Sequence, residues 1–260
     1  MGHIISVVNN KGGVGKSTLT TNLGHALASK GYQVLATDLD NQCNTTNKLT
    51  NRTVRAYTLY ELLLGEVTVD KIIYQSQYKN LFCLANHPDT SGIELKLIED
   101  QQYFLLYKLL RDYTRDHYDY TILDCPPNLL FFVYSALFLT DFVIVPILSN
   151  STDSLEGLST VLDKIDDISK NENTNLRFLR LLINNIDRRT NMYKIVVNEL
   201  MKSLGEDYIF NTSIPTSTKF QQAEYLQKTV LNHAPTSTGA KAYRALANEV
   251  EALIPINDEN

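Results

Sequence analysis

The chain has 260 residues, 43% of them hydrophobic and 20% charged, with a formal net charge of −5. That composition supplies a sizeable core and excludes wholesale disorder, and the length suits one large or two modest domains. The acidic balance argues against a uniformly basic nucleic-acid coat, no apolar run approaches the ~20 residues of a membrane helix, and no basic leader precedes a cleavage site.

Apolar runs bounded by turn residues alternate with longer helical patterns. Ile4–Val8 reads as a buried strand, and the pattern of Ser17–Lys30 predicts the helix after it. Tyr32–Thr37 is the second strand, and a long helix is expected over Ile93–His117. Tyr120–Leu123, Phe142–Val145 and Phe178–Ile183 continue the strand series, with helices predicted over Leu129–Leu139, Ser154–Lys170 and Asn191–Leu204. Two further helices are expected, Lys219–Gln227 and Ser237–Leu253. Continuous rather than alternating apolar strands suit burial on both faces. The alternation predicts an α/β fold, a doubly wound, mostly parallel sheet with helices on both faces. Ligands of such sheets sit at the carboxyl ends of the strands.

After the first strand comes Asn9-Asn10-Lys11-Gly12-Gly13-Val14-Gly15-Lys16-Ser17-Thr18. This is nearly GxxxxGK[ST], with Asn10 where the first glycine would stand. Gly12, Gly13 and Gly15 let successive backbone N–H groups point inward as an anion nest, and the helix that follows presents its positive dipole end. Lys16 is placed to reach the β- and γ-phosphates of a nucleotide, and Ser17 to put a hydroxyl on Mg²⁺.

Two acidic segments follow strands. Asp38-Leu39-Asp40-Asn41-Gln42 comes after the second, where Asp38 is either a strand-end cap or part of the site. Asp124 ends the apolar run Tyr120–Leu123 and precedes Cys125-Pro126-Pro127, a position from which a carboxylate holds a water on Mg²⁺. Cys43, Cys83 and Cys125 lie far apart, with no CxxC, and read as reduced cytosolic thiols. Cys125 reads as a small buried residue; an iron–sulfur role would need two cysteines per subunit in glycine-rich surroundings, which Cys83 and Cys125 lack.

The second lysine of the loop, Lys11, is not required by an ordinary phosphate loop. The run Lys11–Thr18 resembles the deviant Walker A motif of the ParA/MinD ATPase family, Asp38–Gln42 resembles its D-x-D-P-Q segment with Asn41 for proline, and Asp124-Cys125-Pro126-Pro127 its D-x-P-P. The resemblance extends over essentially the whole chain. It implies ATP and Mg²⁺ as cofactors, and a nucleotide-sandwich homodimer in which Lys11 reaches the partner subunit's phosphates as a charge stabiliser supplied in trans. It implies that Asp40 orients the attacking water near Mg²⁺, that Asn184 hydrogen-bonds adenine, and that Pro215 packs beside the base. On this resemblance the catalytic residues are Lys11, Lys16, Asp40 and Asp124, the metal residues are Ser17, Asp40 and Asp124, and Lys11–Thr18 embraces the nucleotide.

The ParA branch further implies binding of the ATP-bound dimer to non-specific DNA and release through hydrolysis stimulated by a ParB-type partner. Lys219 and Arg189 match basic positions of that branch, Arg188 and Arg244 extend the face, and Lys194 and Lys241 add to it. Residues 177–244 carry ten Lys/Arg against five Asp/Glu, which permits an anionic partner there. Thr216 stands where ParA proteins often have arginine, so the patch is thinner. A MinD-like membrane cycle is the alternative, but it needs a basic amphipathic end, and this sequence ends acidic and is broken by Pro255. Positioning of another cargo would share both surfaces. The expectation is one P-loop ATPase domain over residues 1–260 without an N-terminal DNA-binding extension, cytoplasmic and associated with the nucleoid.

Overall fold

A computed structural model describes residues 1–50, 56–149, 153–186 and 191–256. Seven strands form one sheet: β1 (His3–Val7), β2 (Val34–Asp38), β3 (Ile73–Gln75), β4 (Leu81–Leu84), β5 (Tyr120–Asp124), β6 (Phe142–Leu148) and β7 (Arg177–Asn184). Their spatial order is β3-β4-β2-β5-β1-β6-β7, and every pairing is parallel except that of β3 with β4. The parallel α/β expectation holds, with an antiparallel edge added by β3 and β4, two short strands outside the predicted set.

The helices are α1 (Lys16–Ala28), α2 (Asn44–Leu49), α3 (Leu59–Leu63), α4 (Thr90–Glu99), α5 (Leu105–His117), α6 (Phe131–Leu139), α7 (Asp153–Asn171), α8 (Asn191–Leu204), α9 (Thr218–Tyr225), α10 (Val230–His233) and α11 (Thr238–Leu253). The single helix expected over Ile93–His117 is instead the pair α4 and α5. Gln101 adopts a left-handed φ of 55°, and its N–H and that of Gln102 return to the carbonyls of Ile98 and Leu97. This is a Schellman stop made without the usual glycine.

Neighbouring strand residues face opposite cores, as a two-residue period requires. Ile4, Leu35 and Leu123 belong to a core shared with α5, α6, α7 and α8. Ile5, Val34, Ala36 and Ile122 belong to the other, which α1 and α11 complete through Leu19, Leu23, Tyr243, Leu246 and Val250. Burial on both faces leaves the strand ends as the open edge. β1 lies between β5 and β6, so the loop after β1 emerges at the middle of that edge.

Candidate functional site

The loop between β1 and α1 is built around three side chains. Asn9 is 4% exposed; its amide donates to the Pro146 carbonyl at 2.7 Å, and its Oδ1 accepts from Lys11 N–H at 2.9 Å. Lys16 is 7% exposed, and its Nζ donates to the carbonyls of Asn9 (3.0 Å) and Lys11 (3.1 Å). An ammonium has three protons, and two of them lock the loop while one remains for an anion. Burial holds the Lys16 ammonium below the usual lysine range, opposed by Asp124, Cys125 and Asp40.

Gly13 and Gly15 have φ values of 75° and 92°, the left-handed region that glycine enters without cost. Gly15 has a second constraint, because a Cβ there would stand 2.4 Å from the Asn184 amide nitrogen. That amide donates to the Val14 carbonyl at 2.7 Å, so Asn184 braces the loop from the end of β7. Asn184 also lines the cleft beside Ile214 and Pro215, with an amide N–H committed to the loop.

Two adjoining cavities share Gly13, Gly15 and Thr18. One, of about 190 Å³, is lined by Asn184, Ile214, Pro215, Phe220 and Tyr243. The other, of about 400 Å³, is lined by Gly12, Lys16, Ser17, Asp40, Gln42 and Glu224. The first offers apolar and aromatic walls for a base; the second offers the nest, the ammonium and the carboxylates.

Asp38 and Asp124 are register partners at the ends of β2 and β5, and both are fully buried. Burial and mutual repulsion push the Asp38 carboxyl well above the ordinary range, against the hydrogen bonds it accepts from Thr46 and from Asp40 N–H. Burial also raises Asp124, with Asp40 adding to the effect; the Thr45 and Ser17 hydroxyls and the Lys16 ammonium pull the other way. Asp38 Oδ2 accepts from Thr46 N–H at 2.7 Å and its Oδ1 from Asp40 N–H at 3.2 Å, so it cinches the turn that carries Asp40. Of the two readings open for Asp38, the structure supports the strand-end anchor.

Asp40 is 8% exposed and accepts from Gln42 N–H at 3.0 Å, while Cys43 N–H closes the turn on the Asp40 carbonyl at 2.9 Å. The turn therefore forms with Asn41 in place of proline. The sequence pattern also gave no weight to Asn86, whose amide donates to the Asp40 carbonyl at 3.2 Å, or to Glu224, which reaches the phosphate side from α9. Both lie far along the chain from the loop and carry no local motif.

Asp124 Oδ1 is buried with no partner at ordinary hydrogen-bond distance, and the Ser17 hydroxyl at the start of α1 lies close enough to the same carboxyl to lower it. A hard, oxygen-lined position with one spare carboxylate oxygen suits Mg²⁺, which keeps several waters and takes phosphate oxygens as ligands. Among the described residues no group of three or more His, Cys, Asp or Glu side chains forms a self-contained metal cage. Cys125 is fully buried, and its thiol is pushed up to about 12 by burial and Asp124.

Lys219 is exposed at the start of α9, and its Nζ donates to Gln222 at 3.0 Å. Arg244 is exposed on α11 and donates to the Pro235 carbonyl at 2.6 Å. Lys194 and Lys241 are placed on α8 and α11. Arg188 and Arg189 lie outside the described residues.

Fold and loop together define a P-loop nucleotide-binding protein. A family profile described as an AAA domain matches residues 2–178. The sporulation initiation inhibitor protein Soj of Bacillus subtilis is 34% identical over 253 residues, covering 97% of this chain and 99% of Soj. The chromosome-partitioning ATPase Soj of Treponema pallidum is 32% identical, with coverages of 97% and 98%. Among solved structures, the septum site-determining protein MinD of Pyrococcus horikoshii, complexed with Mg-ADP, superposes with a TM-score of 0.80 at 26% identity, covering all of both chains. The chain belongs to the ParA/MinD family of P-loop ATPases.

Proposed function

We propose that this chain is a ParA-type partition ATPase that uses ATP and Mg²⁺ to cycle on and off DNA. The observation that carries the reading is that Lys16 and Asp40 line the cavity that the glycine loop opens, with the buried Asp124 carboxylate directly behind Lys16 and Ser17. The full-length likeness to Soj proteins supports partition as the task.

Lys16 and the N–H groups of residues 12–16 hold the phosphates at the start of α1. Ser17 and Asp124 would hold Mg²⁺, directly or through a water, and the ion would supply charge neutralisation for the transferred phosphoryl group. Asp40, set by the Asp38 cinch, orients the attacking water. Phosphoryl transfer needs little more than such positioning and charge stabilisation. The base lies between Asn184, Pro215 and Phe220.

Among the described residues the Lys11 ammonium has no hydrogen-bond or ion-pair partner, although both backbone groups of Lys11 are fixed. That supports the role in trans. Two subunits face each other across their loops, Lys11 of each reaches the partner subunit's phosphates, and dimerisation follows nucleotide state. Lys219 and Arg244 then meet DNA phosphates, and Arg188 and Arg189, outside the described residues, are assigned to the same task by the family resemblance alone. A ParB-type protein triggers hydrolysis, which is slow alone, and the chain works in the cytoplasm at the nucleoid.

A membrane cycle is disfavoured by α11. Its apolar residues Tyr243, Leu246, Ala247 and Val250 are spent in the core and leave no apolar stripe for a lipid surface.

Binding to non-specific duplex DNA tests the reading, measured without nucleotide, with ADP and with ATP at two salt concentrations. Binding with ATP alone, falling steeply with salt, is expected. Absence of DNA binding in every state would sink partition and leave the nucleotide site standing.

A further inference from the structure

α2 begins four residues after Asp40, and its first turn touches both buried strand-end carboxylates. Thr46 N–H donates to Asp38, and the adjacent Thr45 hydroxyl donates to Asp124 Oδ2 at 2.7 Å. Thr45 and Asp124 are both 0% exposed, so water does not compete for that bond. Asp124 is thereby left asymmetric: Oδ2 is taken by Thr45, and Oδ1 is buried with no hydrogen bond.

We propose that Thr45 is a positioning residue for the metal. By holding Oδ2, it fixes the carboxylate rotamer and leaves Oδ1 as the oxygen available to Mg²⁺ or its water shell. The inference rests on the assignment of Asp124 to Mg²⁺ made above. It assigns Thr45 no contact with nucleotide or metal.

The physical case is one of alternatives. A buried carboxylate without Thr45 has two equivalent oxygens and rotates about its terminal torsion, which is broad and nearly two-fold. The Thr45 hydroxyl removes that freedom and favours the charged form that a cation requires. Outer partners of metal-binding carboxylates typically govern affinity by ~10- to 100-fold. The same segment carries Asp40, so one short stretch of chain sets the directions of both acidic groups. Thr46, the neighbouring residue, is committed elsewhere: its hydroxyl accepts from Asn86 N–H at 2.9 Å, and both its N–H and its hydroxyl serve Asp38.

The test is ADP binding to the full chain, followed by calorimetry at zero Mg²⁺ and across a Mg²⁺ titration, so that neither hydrolysis nor dimer closure enters. Thr45→Val keeps the shape and deletes the hydroxyl; Thr45→Ser keeps the hydroxyl. Thr45→Val should bind ADP without Mg²⁺ as the parent does, within about two-fold, yet need ~10-fold or more Mg²⁺ for the same gain in affinity. Thr45→Ser should restore the parent's Mg²⁺ requirement to within about three-fold. An unchanged Mg²⁺ requirement in Thr45→Val overturns the proposal. So does loss of Mg²⁺-free ADP binding in both Thr45→Val and Thr45→Ala, which would make Thr45 part of the fold. Asp124→Asn separates the two levels of argument. If it removes the Mg²⁺ effect while Thr45→Val does not, the positioning role alone fails. If Asp124→Asn leaves the Mg²⁺ effect intact, the metal assignment fails first.

Discussion

Lys16 is the residue on which most of the site turns, because one ammonium closes the loop and still has a proton to give. Lys16→Ala removes a buried, charge-assisted contact, so ATP affinity should fall by about 2–5 kcal/mol, read with a fluorescent nucleotide. Retained affinity would undo the phosphate-loop assignment. Asp40 has a different signature. Its carboxylate faces the cavity, but its backbone is held by Asp38, Asn86 and Cys43, so Asp40→Ala removes a side chain without dismantling the turn. ATP binding should persist while hydrolysis slows by ~100-fold or more, and the variant should accumulate as an ATP-bound dimer in size-exclusion chromatography. Monomeric behaviour with ATP would count against its role. These two residues were legible because each sits in a short motif after a strand. Asn9, Asn86 and Thr45 were not, since an amide or hydroxyl acquires its meaning only when the strand order brings its partner within 3 Å or so.

The elements that were legible are those whose pattern reflects burial on both sides of the sheet, namely β1, β2, β5, β6 and β7 with the helices between them. β3 and β4 escaped because they are three and four residues long and one of them forms the antiparallel edge. The break between α4 and α5 escaped because Gln101 performs a turn that glycine usually marks. Short α2 escaped as well, though it ties two regions together: Lys48, with its side chain 3% exposed, is ion-paired to Glu224 of α9, whose side chain is 52% exposed. Breaking such a pair from the exposed side strands a buried ammonium, which is worse than removing both charges. Glu224→Gln should therefore cost about 1–3 kcal/mol in chemical denaturation, less than a fully buried pair because water reaches the carboxylate. Lys48→Met combined with Glu224→Gln should recover most of that loss. If the double variant is as unstable as the single, the ion pair is not what couples α2 to α9.

Across the whole molecule, the nucleotide helix α1 is coupled to distant chain through His25. Its ring stacks on Tyr78 with centroids 4.0 Å apart, and its Nδ1 lies 2.6 Å from the Thr229 hydroxyl that caps α10. Burial, with Arg244 adding a like charge, depresses the imidazole to about 4. An unfolded chain takes up that proton near ~6.5, so protons favour the unfolded state between the two values. The contribution of His25 to stability is present above the unfolded value and is lost as pH falls through the window down to about 4. Asp38 and Asp124 act with the opposite sign: their raised carboxyls favour the folded chain on the acid side and weaken it as pH rises. The two slopes oppose each other, so the raw pH profile of melting cannot assign either. A difference can. His25→Gln keeps a hydrogen-bonding group near Thr229, loses the stack, and has nothing to titrate. It should melt below the parent at pH 7.5, and the gap should narrow or reverse by pH 4.5, because only the parent must then protonate on unfolding. A gap that stays constant over that range would mean that His25 holds α1 to α10 by packing alone, with no proton held off its ring.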